Sequence, residues 1–186
     1  HPGFAKGRMV NAIKVAADFI GRLPRERLSP ETTEGREGFV HPYTVAAGVE
    51  RTSIKFLIRD FSTAGLQEKE EQLAALARET AAGHPGSRFE LEVEPSYRNM
   101  REVLERHPEA AENAMEAMRR AGLEPRERAI RGGTDGSRLC FMGLPTPNIF
   151  AGEHSFHSRT EWISTYDMHK AVEVMVELCR VWEERG

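Results

Sequence analysis

Val49-Glu-Arg-Thr-Ser-Ile-Lys-Phe-Leu-Ile-Arg-Asp-Phe61 is the stretch on which the reading of this sequence turns. Ile54, Phe56 and Ile58 alternate with Lys55, Leu57 and Arg59, the period of two that gives a strand one drier face. Upstream, β-branched and aromatic residues also dominate from Val40 to Val49, so the two runs predict an antiparallel pair. Downstream, Ser62 or Thr63 is placed to cap a helix whose apolar stripe is Leu66, Leu73, Leu76 and Ala77. An early Glu68 suits its positive end, and Gly83 and Pro85 end it.

Working outward, Met9, Val10, Ile13, Ala16, Ala17 and Ile20 recur at threes and fours, which predicts a helix stopped by Pro24. Pro30 to Gly38 reads as an exposed loop. Phe89-Glu-Leu-Glu-Val-Glu94 alternates strictly and predicts a half-buried strand. The order through residue 94 is helix, strand, strand, helix, strand. With one strand before His1 it would be a split βαβ sandwich. Beyond Met100 the pattern changes. His107-Pro108 opens a helix ended by Gly122, and Ala129-Ile130 and Asn148 to Phe150 read as short strands around a glycine-rich turn. Ser164 to Asp167 forms a capping box for a last helix carrying Met168, Ala171, Val172, Met175, Cys179 and Trp182. This predicts an α+β domain followed by an α/β part, with a boundary near residues 95 to 104.

The 186 residues, 39% hydrophobic and 30% charged, suffice for a packed core. A net charge of −3 with interspersed signs gives no footprint for nucleic acid or a membrane surface. An RNA-binding split βαβ domain would need a basic, aromatic sheet face, and the acids of 89–94 argue against it. The two cysteines, Cys140 and Cys179, have neither disulfide-framework nor zinc-thiolate spacing. No apolar run nears the roughly 18 residues of a membrane span, and no leader opens the chain, so a cytoplasmic location is expected. The start at His-Pro-Gly, without methionine, suggests a piece of a longer protein.

Few residues carry chemical signals by themselves. In Arg131-Gly-Gly-Thr-Asp-Gly136 the glycines would let backbone N–H groups approach a ligand, and Arg131 could hold a carboxylate in a two-pronged grip. A tight turn with a surface arginine is the other reading. In Gly152-Glu-His-Ser-Phe-His-Ser-Arg-Thr-Glu-Trp-Ile-Ser164, His154 and His157 stand three apart. A zinc site needs three or four ligands, and the neighbouring sequence supplies none, so a metal ligand and an ordinary loop histidine both remain open. Asn99, beside Arg98 and Arg101, lies where the two parts join. Before Pro-Gly, His1 reads from its local sequence as a turn residue rather than as a catalytic or oxyanion-stabilising group.

Taken together, HPGFAKGRMVNA (1–12), SPETTEGREGF (29–39), VERTSIKFLIRDF (49–61), SYRNMREV (96–103), IRGGTDGSRLCFMGLPTPNIF (130–150) and HSFHSRTEW (154–162) resemble the peptidase T family. These are zinc-dependent tripeptide aminopeptidases of the carboxypeptidase and dipeptidase superfamily. The resemblance implies a two-zinc catalytic domain interrupted by a lid domain that mediates homodimerisation. Residues 1–97 match the lid without its first strand, and residues 98–186 match the C-terminal portion of the catalytic domain. It further implies that His157 is a zinc ligand and His1 a lid histidine that stabilises the oxyanion across the dimer. Asn99, Arg131, Thr134 and Asp135 would bind the tripeptide, Arg131 at its terminal carboxylate. Two residues depart from the family pattern: Ser158 stands where the family usually has glycine after the ligand histidine, and Glu153 stands in a usually glycine-rich turn. The remaining ligands and the general base belong to a segment absent from this sequence, so the expectation is an incomplete, inactive chain. The alternative is a non-catalytic dimerisation module.

Overall fold

The computed structural model describes residues 1–185. It is an α+β protein with two compact units. Unit 1 comprises residues 1–96 together with 129–132, and unit 2 comprises residues 97–128 and 133 onward.

Unit 1 is organised on a hairpin of β1 (Phe39–Ala47) and β2 (Thr52–Arg59), paired antiparallel from Phe39 opposite Arg59 to Ala47 opposite Thr52. The register shifts between Pro42 and Thr44, which leaves Tyr43 as a bulge; proline, lacking an N–H, is tolerated at such irregularities. Helix α1 (Ala12–Gly21) and helix α2 (Thr63–Gly83) cover the hairpin. Asn11 accepts the amide of Ile13 at 2.9 Å and fixes the start of α1. That start sets the buried face at Val15, Ala16 and Phe19, leaving Met9, Val10 and Ile13 exposed, whereas the spacing alone puts them on the inner stripe. Ser62 caps α2 through the Gly65 amide at 3.0 Å.

The core of unit 1 is Phe19, Val40, Leu73 and Ala77, with Ile54, Phe56, Ile58, Leu76 and Phe89 packed around them. Phe19 meets Phe56 edge-on at 5.9 Å between ring centroids and Phe89 at 5.4 Å. Beside this core, Asp60 accepts from Lys69 Nζ at 2.6 Å and from the Ser62 amide and hydroxyl at 2.8 and 3.1 Å. A Cβ at Gly65 would overlap the Asp60 carboxylate, so glycine there lets α2 approach this network.

The expected strand at 89–94 is not formed. Only Phe89 reaches the core; Leu91 and Val93 are half exposed, and no strand among the described residues pairs with the run. Alternation gives a strand its two faces, but the ladder needs a neighbour. The split βαβ sheet of the sequence expectation is therefore a two-stranded sheet.

Unit 2 differs from the expected α/β alternation in the same way. Neither 129–130, which packs with unit 1, nor 148–150 is a strand. Instead it contains α3 (Arg101–Leu104), α4 (Pro108–Arg120), α5 (Asp135–Phe141) and α6 (Thr165–Arg185), with β3 (Glu153–His154) paired antiparallel to β4 (Trp162–Ile163). Helices α4 and α6 pack through Ala117, Ala121, Val174 and Val181. Arg120 clasps Glu184 with bonds of 3.0 and 2.7 Å, and Arg185 donates to the buried Asn113 at 2.7 Å. The Asp167 amide donates to Ser164 Oγ at 3.0 Å, securing the start of α6. Met168, Val172, Met175 and Trp182, spaced along the opposite side of α6, remain exposed. No helix among the described residues is long and apolar enough to cross a membrane.

Candidate functional site

The candidate residues divide between the units. In unit 1, His1 opens a turn of 3-10 helix, its Nδ1 accepting the Gly3 amide at 3.1 Å and its ring lying 5.4 Å from that of Phe4. It is exposed, and Nδ1 is spent on this cap. Arg131 is enclosed by the loop before β1. Nη1 donates to the Thr33 carbonyl at 2.5 Å, and Nη2 donates to Thr33 Oγ1 at 2.5 Å and to the Glu37 carbonyl at 3.1 Å. The guanidinium also lies over the Phe39 ring, 4.9 Å from its centroid. Two of the sequence motifs, 29–39 and 130–136, thus meet at this arginine. Sequence reading singled out Arg131 but missed Thr33, because its side chain acts as an acceptor only once a segment 98 residues away is brought to it.

In unit 2 the segment 97–104 is joined to α5 by two cation–π contacts. Arg138 lies 5.2 Å from the Tyr97 ring centroid and Arg98 lies 5.4 Å from that of Phe141. Asn99 Oδ1 accepts the Arg101 amide at 3.0 Å, tying the start of α3. Thr134 precedes α5 without capping it, and its Oγ1 is buried with no partner among the described residues. Asp135 is the first residue of that helix, where a carboxylate suits the exposed amides. The glycines of this turn serve packing: a Cβ at Gly133 would overlap the Tyr97 ring, and neither Gly132 nor Gly133 has a positive φ. The sequence leaves open whether these glycines bring backbone N–H groups to a ligand or only make a tight turn. Cys140 is buried, and its Sγ accepts the Thr146 amide at 3.1 Å.

The histidine loop joins β3 to β4. His154 stacks on Trp162 at 4.2 Å, and its Nε2 lies 3.9 Å from Asp167 Oδ2. His157 lies at the exposed turn with a left-handed φ of 64°, two residues after Ser155 at 53°. Such conformations are uncommon without glycine and hold only where neighbours fix them. Glu161 does so, its Oε2 accepting the His157 amide at 2.8 Å. The spacing of four thus makes a main-chain staple across a loop. Ser158 is accommodated without a positive φ, its hydroxyl accepting the Thr160 amide at 3.1 Å.

Zinc needs three or four donors in a closed or nearly closed shell. Among the described residues no three His, Cys, Asp or Glu side chains gather in such a group. The side chains of this chain do not by themselves fit a two-zinc centre.

Residues 1–85 match the family model of the peptidase dimerisation domain, so the first of the two units is of that class. The similarity extends through the whole sequence. Peptidase T of Caldanaerobacter subterraneus subsp. tengcongensis is 45% identical over 186 residues, which are all of this chain and 45% of that protein. Peptidase T of Geobacillus kaustophilus is 44% identical over 186 residues with the same coverage. The crystal structure of aminopeptidase PepT from Bacillus cereus superposes with a TM-score of 0.63 at 21% identity, over 96% of this chain and 47% of that one. The chain is thus similar to peptidase T along its whole length, and it spans about half the length of the curated relatives it matches.

Proposed function

We propose that this chain is the lid and C-terminal catalytic part of a two-zinc aminopeptidase that releases the N-terminal residue of tripeptides in the cytoplasm. The observation that carries the reading is the 45% identity to a peptidase T through every residue of the chain, which amounts to 45% of that relative. Residues 1–97 form the lid and homodimerise, a role supported by their match to a dimerisation domain. Residues 98–186 complete the catalytic domain. His157 would supply one imidazole to the zinc pair, which when bound would provide Lewis-acid chemistry for peptide hydrolysis. His1 stabilises the oxyanion, Asn99, Thr134 and Asp135 orient the peptide, and Arg131 receives its terminal carboxylate.

The chain alone is inactive in this reading, because a lone imidazole cannot hold two ions. The other ligands and the base come from the remaining length that its relatives possess. By itself the chain acts as a dimerisation module.

The test compares the 186-residue chain with the full-length parent, both loaded with zinc, on a free tripeptide. The parent is expected to release the N-terminal residue and the chain to leave the peptide intact. A parent inert toward tripeptides would overturn the assignment, and turnover by the chain alone would overturn its incompleteness.

A further inference from the structure

The hydrogen bonds of Arg131 conflict with its expected use, and the conflict points to a latch. A guanidinium grips a carboxylate through two parallel N–H bonds, from Nη1 and Nη2 or from Nε and Nη2. Either grip requires an Nη2 hydrogen. Here Nη2 has two acceptors, Thr33 Oγ1 and the Glu37 carbonyl, which engage both of its hydrogens. Nη1 gives one hydrogen to the Thr33 carbonyl. The donors left over are the second Nη1 hydrogen and Nε–H, and these do not point in parallel. Nε is buried and has no partner among the described residues.

Thr33 is itself held, because its hydroxyl donates to the Ser29 carbonyl at 2.6 Å while accepting from Arg131. The loop that carries these acceptors is closed by its own amides: Thr32 to the Ser29 carbonyl, Glu37 to the Glu34 carbonyl, and Glu34 to the Glu37 carboxylate.

We propose that Arg131 has two mutually exclusive partners, the Thr33–Glu37 loop and the carboxylate of a peptide, so that binding the carboxylate releases residues 29–38. The exchange is favoured chemically. Neutral oxygens give way to a charged acceptor, and the side-on grip gives the unpaired Nε a partner. Thr33 is then a positioning residue that sets how readily a carboxylate takes the arginine. The inference rests on the assignment of Arg131 as carboxylate reader.

The test follows hydrogen exchange at the amides of Thr32, Glu34 and Glu37 in the 186-residue chain, with N-acetyl-trialanine as the free acid or as its C-terminal amide. The free acid is expected to speed exchange in this loop and the amide to leave it unchanged. Thr33→Val, which removes one charge-assisted acceptor, is expected to tighten binding of the free acid about tenfold, and Thr33→Ser to restore the original affinity. Exchange that slows or stays unchanged with the free acid at every concentration overturns the latch, as does Thr33→Val binding no tighter than the parent sequence. In the full-length protein the same substitution is expected to lower KM for the free tripeptide without changing kcat. Tripeptide hydrolysis with an unaltered KM in Thr33→Val would remove the latch and leave the aminopeptidase assignment standing. Acid-specific loop release in the chain, beside a parent that does not hydrolyse tripeptides, would do the reverse.

Discussion

Unit 1 and unit 2 bury apolar surface in different ways. In unit 1 two helices close over one face of a hairpin, and large side chains, Phe19, Phe56, Leu73 and Phe89, meet in the middle. In unit 2 the seam between α4 and α6 is made of alanines and valines and held at its ends by ion pairs and an arginine–asparagine bond. The other side of α6 presents Met168, Val172, Met175 and Trp182 to solvent at 44 to 53% exposure. Unit 2 thus has a thin core of small residues beside an exposed apolar stripe, whereas unit 1 centres on large, mutually packed side chains. The difference teaches which part of the sequence carries its own stability.

The largest expected effect is Phe19→Ala, which empties the centre of the unit 1 core. It should cost about 3–4 kcal/mol. Hydrogen exchange should show α1, β1, β2 and α2 losing protection together while α4 and α6 keep theirs. Equal loss in both units would mean that they fold as one body and would break the contrast.

Asp60→Asn comes next, leaving Lys69 without a charged partner at the edge of that core and costing about 2 kcal/mol. Burial pushes the Asp60 carboxyl up, but Lys69 and the amide and hydroxyl of Ser62 together outweigh it and hold it below its ordinary 3.8. A depressed folded value means that the contribution is fully present above 3.8 and is lost as pH falls through the lower folded value. Urea melts at a series of pH values should therefore show unit 1 weakening below that point, with Asp60→Asn flattening the slope.

Ser62→Ala removes the cap of α2 and one of the Asp60 donors and should cost about 1 kcal/mol, read as a shift in the urea midpoint. Met175→Lys lies on the uncovered stripe of α6 and should change the stability of this chain by no more than about 0.5 kcal/mol. A loss of several times that amount would show the stripe to be covered, and would remove the contrast between the two units.

The hairpin was legible because Ile54, Phe56 and Ile58 alternate and also find β1 beside them. Phe89, Leu91 and Val93 alternate just as regularly, yet their run stays unpaired, since periodicity reports which faces a strand would have and says nothing of its neighbour. The helix ends at Ser62 and Ser164 could be read because capping chemistry is local. The onset of α1 was misplaced because Asn11, and not the first apolar residue, determines it.

At the candidate site the residues stood out by type, but their use did not. His157 stood open between a metal ligand and a loop histidine, and in the structure the Glu161 carboxylate holds its main-chain amide in a turn of positive φ. Arg131 suggested a free grip, and the structure occupies it with carbonyls from a loop distant in sequence. Such pairings depend on contacts between remote segments, which no local pattern encodes.

The account depends most on His157 being one ligand of a metal shell that these 186 residues leave incomplete. Zinc retained after metal loading and exhaustive dialysis, compared between the chain and its His157→Ala variant, tests this directly. The account expects well under one equivalent in both proteins. One or two tightly held ions per chain, lost on substituting His157, would contradict it.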